Sequence, residues 1–169
     1  MGLVETVLQM SHELFAEPEV RSPDGVQLRN YQGPQDIDLW IEIRSRAFAR
    51  QKVGVRKWDY GDFEAEFISK PWWDPRSMWL AEAIAPGSLP LPVGTVTLAR
   101  RGDPPRDKPV VHWLAVVPSY RQRGIGRLLI AALEKACWDA GHREVRLETH
   151  AAWTEALEFY EALGYRRIG

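Results

Sequence analysis

A cluster of arginines and glycines at residues 120–127 has the composition of an anion-binding turn. Gly124 and Gly126 carry no Cβ, so the backbone can approach an anion closely and can adopt dihedral angles that strain other residues. If a helix begins near Gly124, its unpaired N–H groups and the positive end of its dipole point at the same anion. The turn therefore predicts a pyrophosphate site. Its three basic side chains are Arg121, Arg123 and Arg127.

The segments on either side of this turn have the patterns of a strand and a helix. Residues 110–117 are apolar on both alternating faces except at His112, which predicts a central strand covered on both sides. In residues 125–140 the apolar positions follow helical spacing, and Gly141 provides a stop. Residues 145–149 alternate and predict the next strand. Such a βαβ unit is normally right-handed, with its ligand at the carboxyl end of the first strand.

The remaining residues predict further strands and helices around this unit. Residues 1–15 show a loose helical stripe before a polar, proline-containing linker, so we expect an N-terminal extension at 1–25 and one domain at 26–169. The other predicted strands are residues 26–31, 78–84, 93–100 and 165–168, and the other predicted helices are residues 37–48, 63–68 and 156–163.

Length, composition and charge favour one compact domain that binds a small anionic ligand. The chain has 169 residues, 45% of them hydrophobic, which is enough for one substantial core. A net charge of -1 argues against nucleic acid or a membrane as a partner, because the basic character is local. Cys137 is the only cysteine, which excludes an internal disulfide and a multi-cysteine metal site. With no signal-like or membrane-spanning stretch, we expect a cytoplasmic protein without a metal.

These motifs together resemble the GCN5-related N-acetyltransferases, which use acetyl-CoA. Their cofactor signature is Arg or Gln, two residues, Gly, one residue, then Gly or Ala, and it is met by Arg121, Gly124 and Gly126. Residues 114–120 look like the usual lead-in, and residues 156–165 resemble the family's late helix and its ending.

The implied fold is α/β (α+β), with a mixed, mostly antiparallel sheet that has a central parallel pair and is flanked by helices. The resemblance covers roughly residues 26–168. The family usually ends with a further strand, which we expect to be missing after the strand that begins at Tyr165. Three arrangements would cover the resulting edge: direct pairing of that strand, the N-terminal extension, or a second protomer in a homodimer.

Acetyl-CoA is the cosubstrate that the resemblance implies. A backbone N–H near Val116 would polarise the thioester carbonyl. The residues whose backbone would pair with the pantetheine arm are Leu114, Ala115, Val116 and Val117. Those around the pyrophosphate would be Arg121, Gln122, Arg123, Gly124, Ile125, Gly126 and Arg127.

The catalytic candidates follow from the same resemblance. Tyr160 matches a general acid that protonates the leaving thiolate, although its helical spacing also fits ordinary aromatic packing. Glu148 matches a catalytic glutamate of some bacterial members but could equally be an ion-pair partner of Arg146 or His150. His112 matches a histidine of arylalkylamine-type members but could be a core residue. A water-mediated route without a dedicated base is a third possibility.

The acceptor is an amine of a small molecule or a protein, and the sequence does not choose between them. By analogy it is bounded by the first two helices. Trp153 stands where many members have asparagine and offers no hydrogen-bond acceptor. The aromatic and cationic residues of the expected acceptor region are Arg46, Phe48, Lys57, Trp58, Tyr60, Trp72 and Trp73.

Three other interpretations stay open at this point. A non-catalytic acyl-CoA-binding or regulatory domain would fit Trp153 and the missing strand. A Rossmann fold would need a third glycine, near Arg127 and Leu129, and an acidic residue such as Glu148. Nucleic-acid binding through the arginine turn is disfavoured by the near-neutral charge.

Overall fold

The computed structural model describes residues 6–49 and 56–169. Within these ranges the strands are β1 (Val7–Glu13), β2 (Val26–Asn30), β3 (Met78–Ala83), β4 (Leu91–Arg101), β5 (Lys108–Val116), β6 (Glu144–His150) and β7 (Arg166–Ile168). The α-helices are α1 (Gln35–Ala47), α2 (Tyr60–Phe63), α3 (Ile125–Asp139) and α4 (Thr154–Ala162). A π-helix, Glu64–Ile68, continues α2, and short 3₁₀ helices lie at Pro75–Ser77 and Pro118–Tyr120.

The strands form one sheet in the order β2-β3-β4-β5-β6-β1-β7. Every pairing is antiparallel except that of β5 with β6, which is parallel. The parallel pair is joined through α3, as the βαβ pattern predicts. The predicted mixed sheet with a central parallel pair is confirmed.

The first strand, β1, is where the sequence interpretation was wrong. Residues 7–13 form a strand rather than part of a helix, and residues 1–5 of the predicted extension lie outside the described residues. Val7 faces His150 and Glu13 faces Glu144, so β1 pairs with the whole length of β6. Met10 is fully buried in the core. Pairing with β1 satisfies the backbone N–H and C=O groups at the edge of β6. This tertiary pairing overrides the weak helical pattern of residues 7–13.

The edge of β6 is therefore occupied by the N-terminal segment, which supplies β1. On its other side β1 pairs with β7, with Gln9 opposite Ile168 and Ser11 opposite Arg166. Of the three arrangements expected to cover the edge of β6, the structure shows the N-terminal segment. Direct pairing of the last strand with β6 is wrong, because β1 separates the two.

Two hydrophobic clusters lie against the sheet. The larger one joins α3 and α4 to the sheet, with Leu129, Leu133 and Val145 fully buried. The smaller one is aromatic and joins α1 and the π-helix to β3; Trp40 and Phe67 lie in it. The predicted helix at residues 63–68 is thus a single α-helical turn followed by π-helix.

Candidate active site

A cleft opens between the parallel strands β5 and β6. Their pairing is limited to Val110 with Arg146 and Val111 with Leu147, in the first half of each strand. Beyond Val111 the edge of β5 has no partner strand on that side. Backbone groups of the following residues are therefore available to a ligand.

A β-bulge in β5 lies at the point where the two strands separate. Thr97 of β4 faces His112, whereas Thr95 faces Ala115, so β5 has one residue more than β4 in this stretch. Trp113 in the bulge has a φ of 53°, a left-handed conformation that is uncommon for residues other than glycine. Bulges bend the strand that carries them, so this one directs β5 away from β6.

The cleft has a volume of about 310 Å³ and brings together the three predicted catalytic side chains. They come from three different elements: His112 from β5, Glu148 from β6 and Tyr160 from α4. Only the tertiary structure can bring such distant positions together. The titratable side chains that line the cleft are Glu66, Arg101, His112, Glu148, His150 and Tyr160.

The glycine-arginine turn leads from β5 into α3 and presents free amides. Gly124 immediately precedes the helix with a φ of 84°, and Gln122 has a φ of 62°. Within the described part of the chain, the amides of residues 122–127 donate to no backbone carbonyl. These amides and the N-terminal end of α3 lie where the sequence predicts an anion site.

The side chain of Arg121 hydrogen-bonds two backbone carbonyl oxygens. Its Nη2 donates to the carbonyl oxygen of Ala47 at 2.7 Å, and its Nε donates to that of Val116 at 3.1 Å. Arg121 therefore ties the end of α1 to the end of β5. The guanidinium of Arg123 lies over the ring of Tyr120 at 4.9 Å from its centroid.

Gly126 has a packing role besides the expected anion role. A Cβ at this position would lie 3.1 Å from Cζ of Phe159, closer than most real Cβ contacts. The absence of a side chain thus lets α3 and α4 approach each other beside the turn.

Tyr160 lines the cleft from α4. Burial raises the pKa of its phenol above the ordinary value. The hydroxyl therefore keeps its proton throughout the physiological pH range. Its ring packs against that of Tyr165, with centroids 5.9 Å apart.

Glu148 is held by two neighbours. Nε2 of Gln9 donates to its Oε1 at 2.8 Å, and Arg101 forms an ion pair with the same oxygen. The hydrogen bond from Gln9 and the charge of Arg101 lower the pKa of Glu148. Of the two ion-pair partners expected from the sequence, Arg146 instead bonds Glu144, at 2.5 Å.

His112 lies beside a carboxylate that the sequence interpretation missed. Its Nε2 is 2.9 Å from Oε1 of Glu66, on the π-helix, and the imidazole is 17% exposed. That nitrogen is buried and makes no aligned hydrogen bond to the described residues. Nε1 of Trp113 donates to the same oxygen at 3.3 Å. Proximity to His112 is the largest cause of the lowered pKa of Glu66.

The structure divides the residues expected around the acceptor. Phe48 lines the cleft, and Trp72 lies 5.8 Å from the imidazole of His112. Trp58 and Trp73 pack in the aromatic cluster instead. The other three are on the surface: Arg46, Lys57 and Tyr60.

Trp153 forms an aromatic wall where the family often has asparagine. Its ring stacks on Phe48 at 6.3 Å and meets His150 edge-on at 4.4 Å. It precedes α4 without a side-chain hydrogen bond to the helix. The residue therefore links the end of α1 to the start of α4 across the cleft.

Three polar residues of the site were not found from the sequence: Gln9, Glu66 and Arg101. Each lies far along the chain from the side chain it contacts; Gln9 and Glu148 are 139 positions apart. Glu66 gave one local signal, a charge directly before the buried Phe67. That signal is too common to identify a site.

Comparison with known proteins then decides the family. Residues 39–165 match the model of the acetyltransferase (GNAT) family. This chain belongs to that family. A mycothiol acetyltransferase of Thermomonospora curvata is 32% identical to this GNAT chain over 170 residues, which cover 99% of it and 54% of the relative. The GNAT chain thus spans about half the length of the curated relatives it matches.

Solved structures support the GNAT fold. A GCN5-related N-acetyltransferase from Sphaerobacter thermophilus superposes with a TM-score of 0.75 at 23% identity, covering 98% of this chain and 49% of that one. Aminoglycoside N-acetyltransferase AAC(6')-Iy in complex with CoA has a TM-score of 0.62 at 20% identity, covering 88% and 94%.

Residues 6–49 and 56–169 contain neither a candidate membrane span nor a candidate metal site. None of the helices there combines the length and the apolar character needed to cross a lipid bilayer. No group of three or more His, Cys, Asp or Glu residues in these ranges is arranged to hold a metal ion.

Proposed function

We propose that this chain is an acetyl-CoA-dependent N-acetyltransferase domain that acetylates an amine by direct attack on the thioester. One observation carries the proposal: β5, which lines the cleft together with Tyr160, is followed along the chain by a turn whose amides are free. The amides suit the pyrophosphate, the open edge of β5 suits the pantetheine arm, and the cleft suits the thioester.

The direction of the Val116 amide supports a role in polarising the thioester carbonyl. Val117 N–H donates to Val93 on β4 at 2.9 Å. Because successive N–H groups of a strand point to opposite edges, that of Val116 points toward the cleft. A free N–H at this edge can stabilise the oxygen that becomes negative in the transition state.

Tyr160 supplies the proton for the leaving thiolate in this proposal. When the new C–N bond forms and the C–S bond breaks, the sulfur takes a proton from the phenol, and the amine gives up a proton to a base. The raised pKa of the buried phenol supports the assignment, because the hydroxyl arrives protonated.

His112 is favoured over Glu148 as that base. Glu148 is paired with Arg101 and Gln9, and its lowered pKa makes it a weaker proton acceptor. An imidazole ordinarily titrates near neutral pH and suits proton transfer from an ammonium. His112 lines the same cleft without such a cationic partner among the described residues.

The acceptor is proposed to be a small-molecule amine. The relatives that match most of this chain are named mycothiol acetyltransferases, and the cleft is enclosed by Phe48, Trp113 and Trp153. A protein amine, a homodimer and a cytoplasmic location stay predictions. The edge of β6 that suggested a dimer is occupied by β1.

Release of free thiol from acetyl-CoA with a panel of primary amines tests the proposal. We expect amine-dependent release, reduced about 100-fold or more in Tyr160→Phe. Tyr60→Phe, on the exposed side of α2, is the matched control and should behave like wild type. Tight CoA binding by calorimetry without turnover on any amine would favour the non-catalytic acyl-CoA-binding alternative.

A further inference from the structure

The turn that carries Glu66 has an unusual backbone. The amide of Ser69 donates to the carbonyl of Glu64 at 2.9 Å, five residues back, which widens the helix by one residue. Such π-turns are rare and are often found at functional sites. Phe67, within this turn, is fully buried, and Glu66 beside it projects onto β5.

The carboxylate of Glu66 contacts Nε2 of His112 and does not contact Nδ1. Oε1 of Glu66 lies 2.9 Å from Nε2. If Nε2 were unprotonated, this electron-rich nitrogen would lie 2.9 Å from a negatively charged oxygen, which is repulsive. The neutral ring is therefore stable with its proton on Nε2, and Nδ1 then carries the free lone pair.

Neighbouring groups fix the plane of the ring and the position of the carboxylate. The rings of Phe67 and Trp72 meet the imidazole edge-on, with centroids 5.6 Å and 5.8 Å away. Nε1 of Trp113, the residue in the bulge, donates to the same Oε1 at 3.3 Å. The bulge in β5 and the π-turn thus both contact the pair formed by the His112 imidazole and the Glu66 carboxylate.

From this geometry we propose that Glu66 is a positioning residue of the active site, which holds His112 in the Nε2-protonated form so that Nδ1 accepts the proton of the acceptor amine. The inference rests on the proposed acetyl transfer. The acceptor ammonium loses one proton to Nδ1, and the neutral amine nitrogen bonds to the carbonyl carbon as the C–S bond breaks. The thiolate takes the proton of Tyr160, and the second proton of the nitrogen passes to the resulting phenolate, which restores the Tyr160 hydroxyl. Glu66 stabilises the imidazolium that results. It stays ionised and takes up no proton itself.

The other charged groups near the imidazole are Glu148 and Lys70. Glu148 on β6 is the second carboxylate close to His112, but it is paired with Arg101. Lys70 follows the π-helix and acts on Glu66 only through its longer-range charge. Glu66 is therefore the carboxylate placed to control the imidazole.

The first test reads the tautomer directly and requires no substrate. In a two-bond ¹H–¹⁵N correlation spectrum of the histidine-labelled protein, at a pH where the rings are neutral, His112→Gln identifies the His112 signals. We expect the Nε2-protonated pattern in wild type. An Nδ1-protonated ring overturns the inference, whether or not the protein has activity.

The second test measures kinetics with acetyl-CoA and the panel amine that wild type acetylates fastest. We expect Glu66→Gln to lower kcat about 10-fold or more with the KM for acetyl-CoA unchanged. Glu66→Asp, which keeps the charge, should restore part of the rate.

Glu64→Gln is the matched control, because this exposed glutamate lies on the same π-helix. It should keep the kcat of wild type and its KM for acetyl-CoA. If wild type is active and Glu66→Gln matches Glu64→Gln in both, the inference is wrong while the proposed function stands. If wild type acetylates no amine, the proposed function fails, and the tautomer spectrum alone decides the positioning role.

Discussion

Replacement of Arg121 by alanine is expected to reduce stability rather than the electrostatic attraction of the cosubstrate. The sequence places this arginine in the anion-binding signature, but the structure directs its guanidinium to two carbonyl oxygens. These belong to Ala47, the last residue of α1, and Val116, the last residue of β5. The side chain therefore connects two elements on either side of the cleft.

The expected loss follows from these two hydrogen bonds. A hydrogen bond from a charged group contributes about 1.5–3 kcal/mol when it is well buried. Arg121 is exposed, so we expect about 1–2 kcal/mol for both bonds together, including a few tenths from a cation at the end of a helix. For a domain of this size that corresponds to a fall in Tm of about 2–8 °C.

Thermal unfolding and CoA titrations at several salt concentrations measure the two effects separately. Arg121→Ala should lower Tm by this amount and leave the salt dependence of CoA affinity unchanged, because screening acts on charges that meet the ligand. Arg127→Ala, in the exposed first turn of α3, is the paired control. It should leave Tm nearly unchanged and make CoA affinity lower and less salt-dependent.

The reverse result would refute this reasoning. If Arg121→Ala leaves Tm within about 1 °C of wild type and flattens the salt dependence of CoA binding, the guanidinium serves the phosphates. The bonds to the carbonyls would then not be what the residue contributes.

Three further substitutions have defined outcomes. Gly126→Ala should cost about 1 kcal/mol of unfolding free energy, because its Cβ would press on Phe159, and Phe159→Leu should recover part of it. Glu148→Gln removes the charge paired with Arg101. Since the pKa of Glu148 is lowered in the fold, its stabilising effect is present above the unfolded pKa and is lost as pH falls through the folded one. The variant should therefore be less stable than wild type by under about 1 kcal/mol at neutral pH and equal to it in acid. Met10→Ala, in the fully buried centre of β1, should cost about 2–4 kcal/mol by denaturant unfolding.

Controls for the last two exist on the surface. Glu158→Gln, exposed on α4, should show no pH-dependent difference from wild type. Ile168→Ala, on the edge strand β7 and 37% exposed, should cost much less than Met10→Ala. Equal losses from these two would mean that β1 is not held by burial of its apolar face.

Local sequence determined the glycine-arginine turn and the elements on either side of it. The glycines of the turn, the apolar strand before it and the periodic helix after it are neighbours in the chain, so spacing alone predicted their joint geometry. The βαβ order, the mixed sheet and the family signature at Arg121, Gly124 and Gly126 follow from such short-range patterns. That is why the fold class was predicted correctly, while the anion site stays a prediction.

The tertiary structure alone decided which distant segments of the chain contact one another. The strand at residues 7–13 forms because the edge of β6 is free, more than a hundred positions away in the chain. The carbonyls that hold Arg121 and the carboxylate that faces His112 likewise come from separate elements. Pairing between distant segments depends on the packed shape of the whole chain, and no local spacing encodes it. The sequence of this chain thus predicted the strand, turn and helix around Gly124, whereas only the packed fold placed Glu66 beside His112.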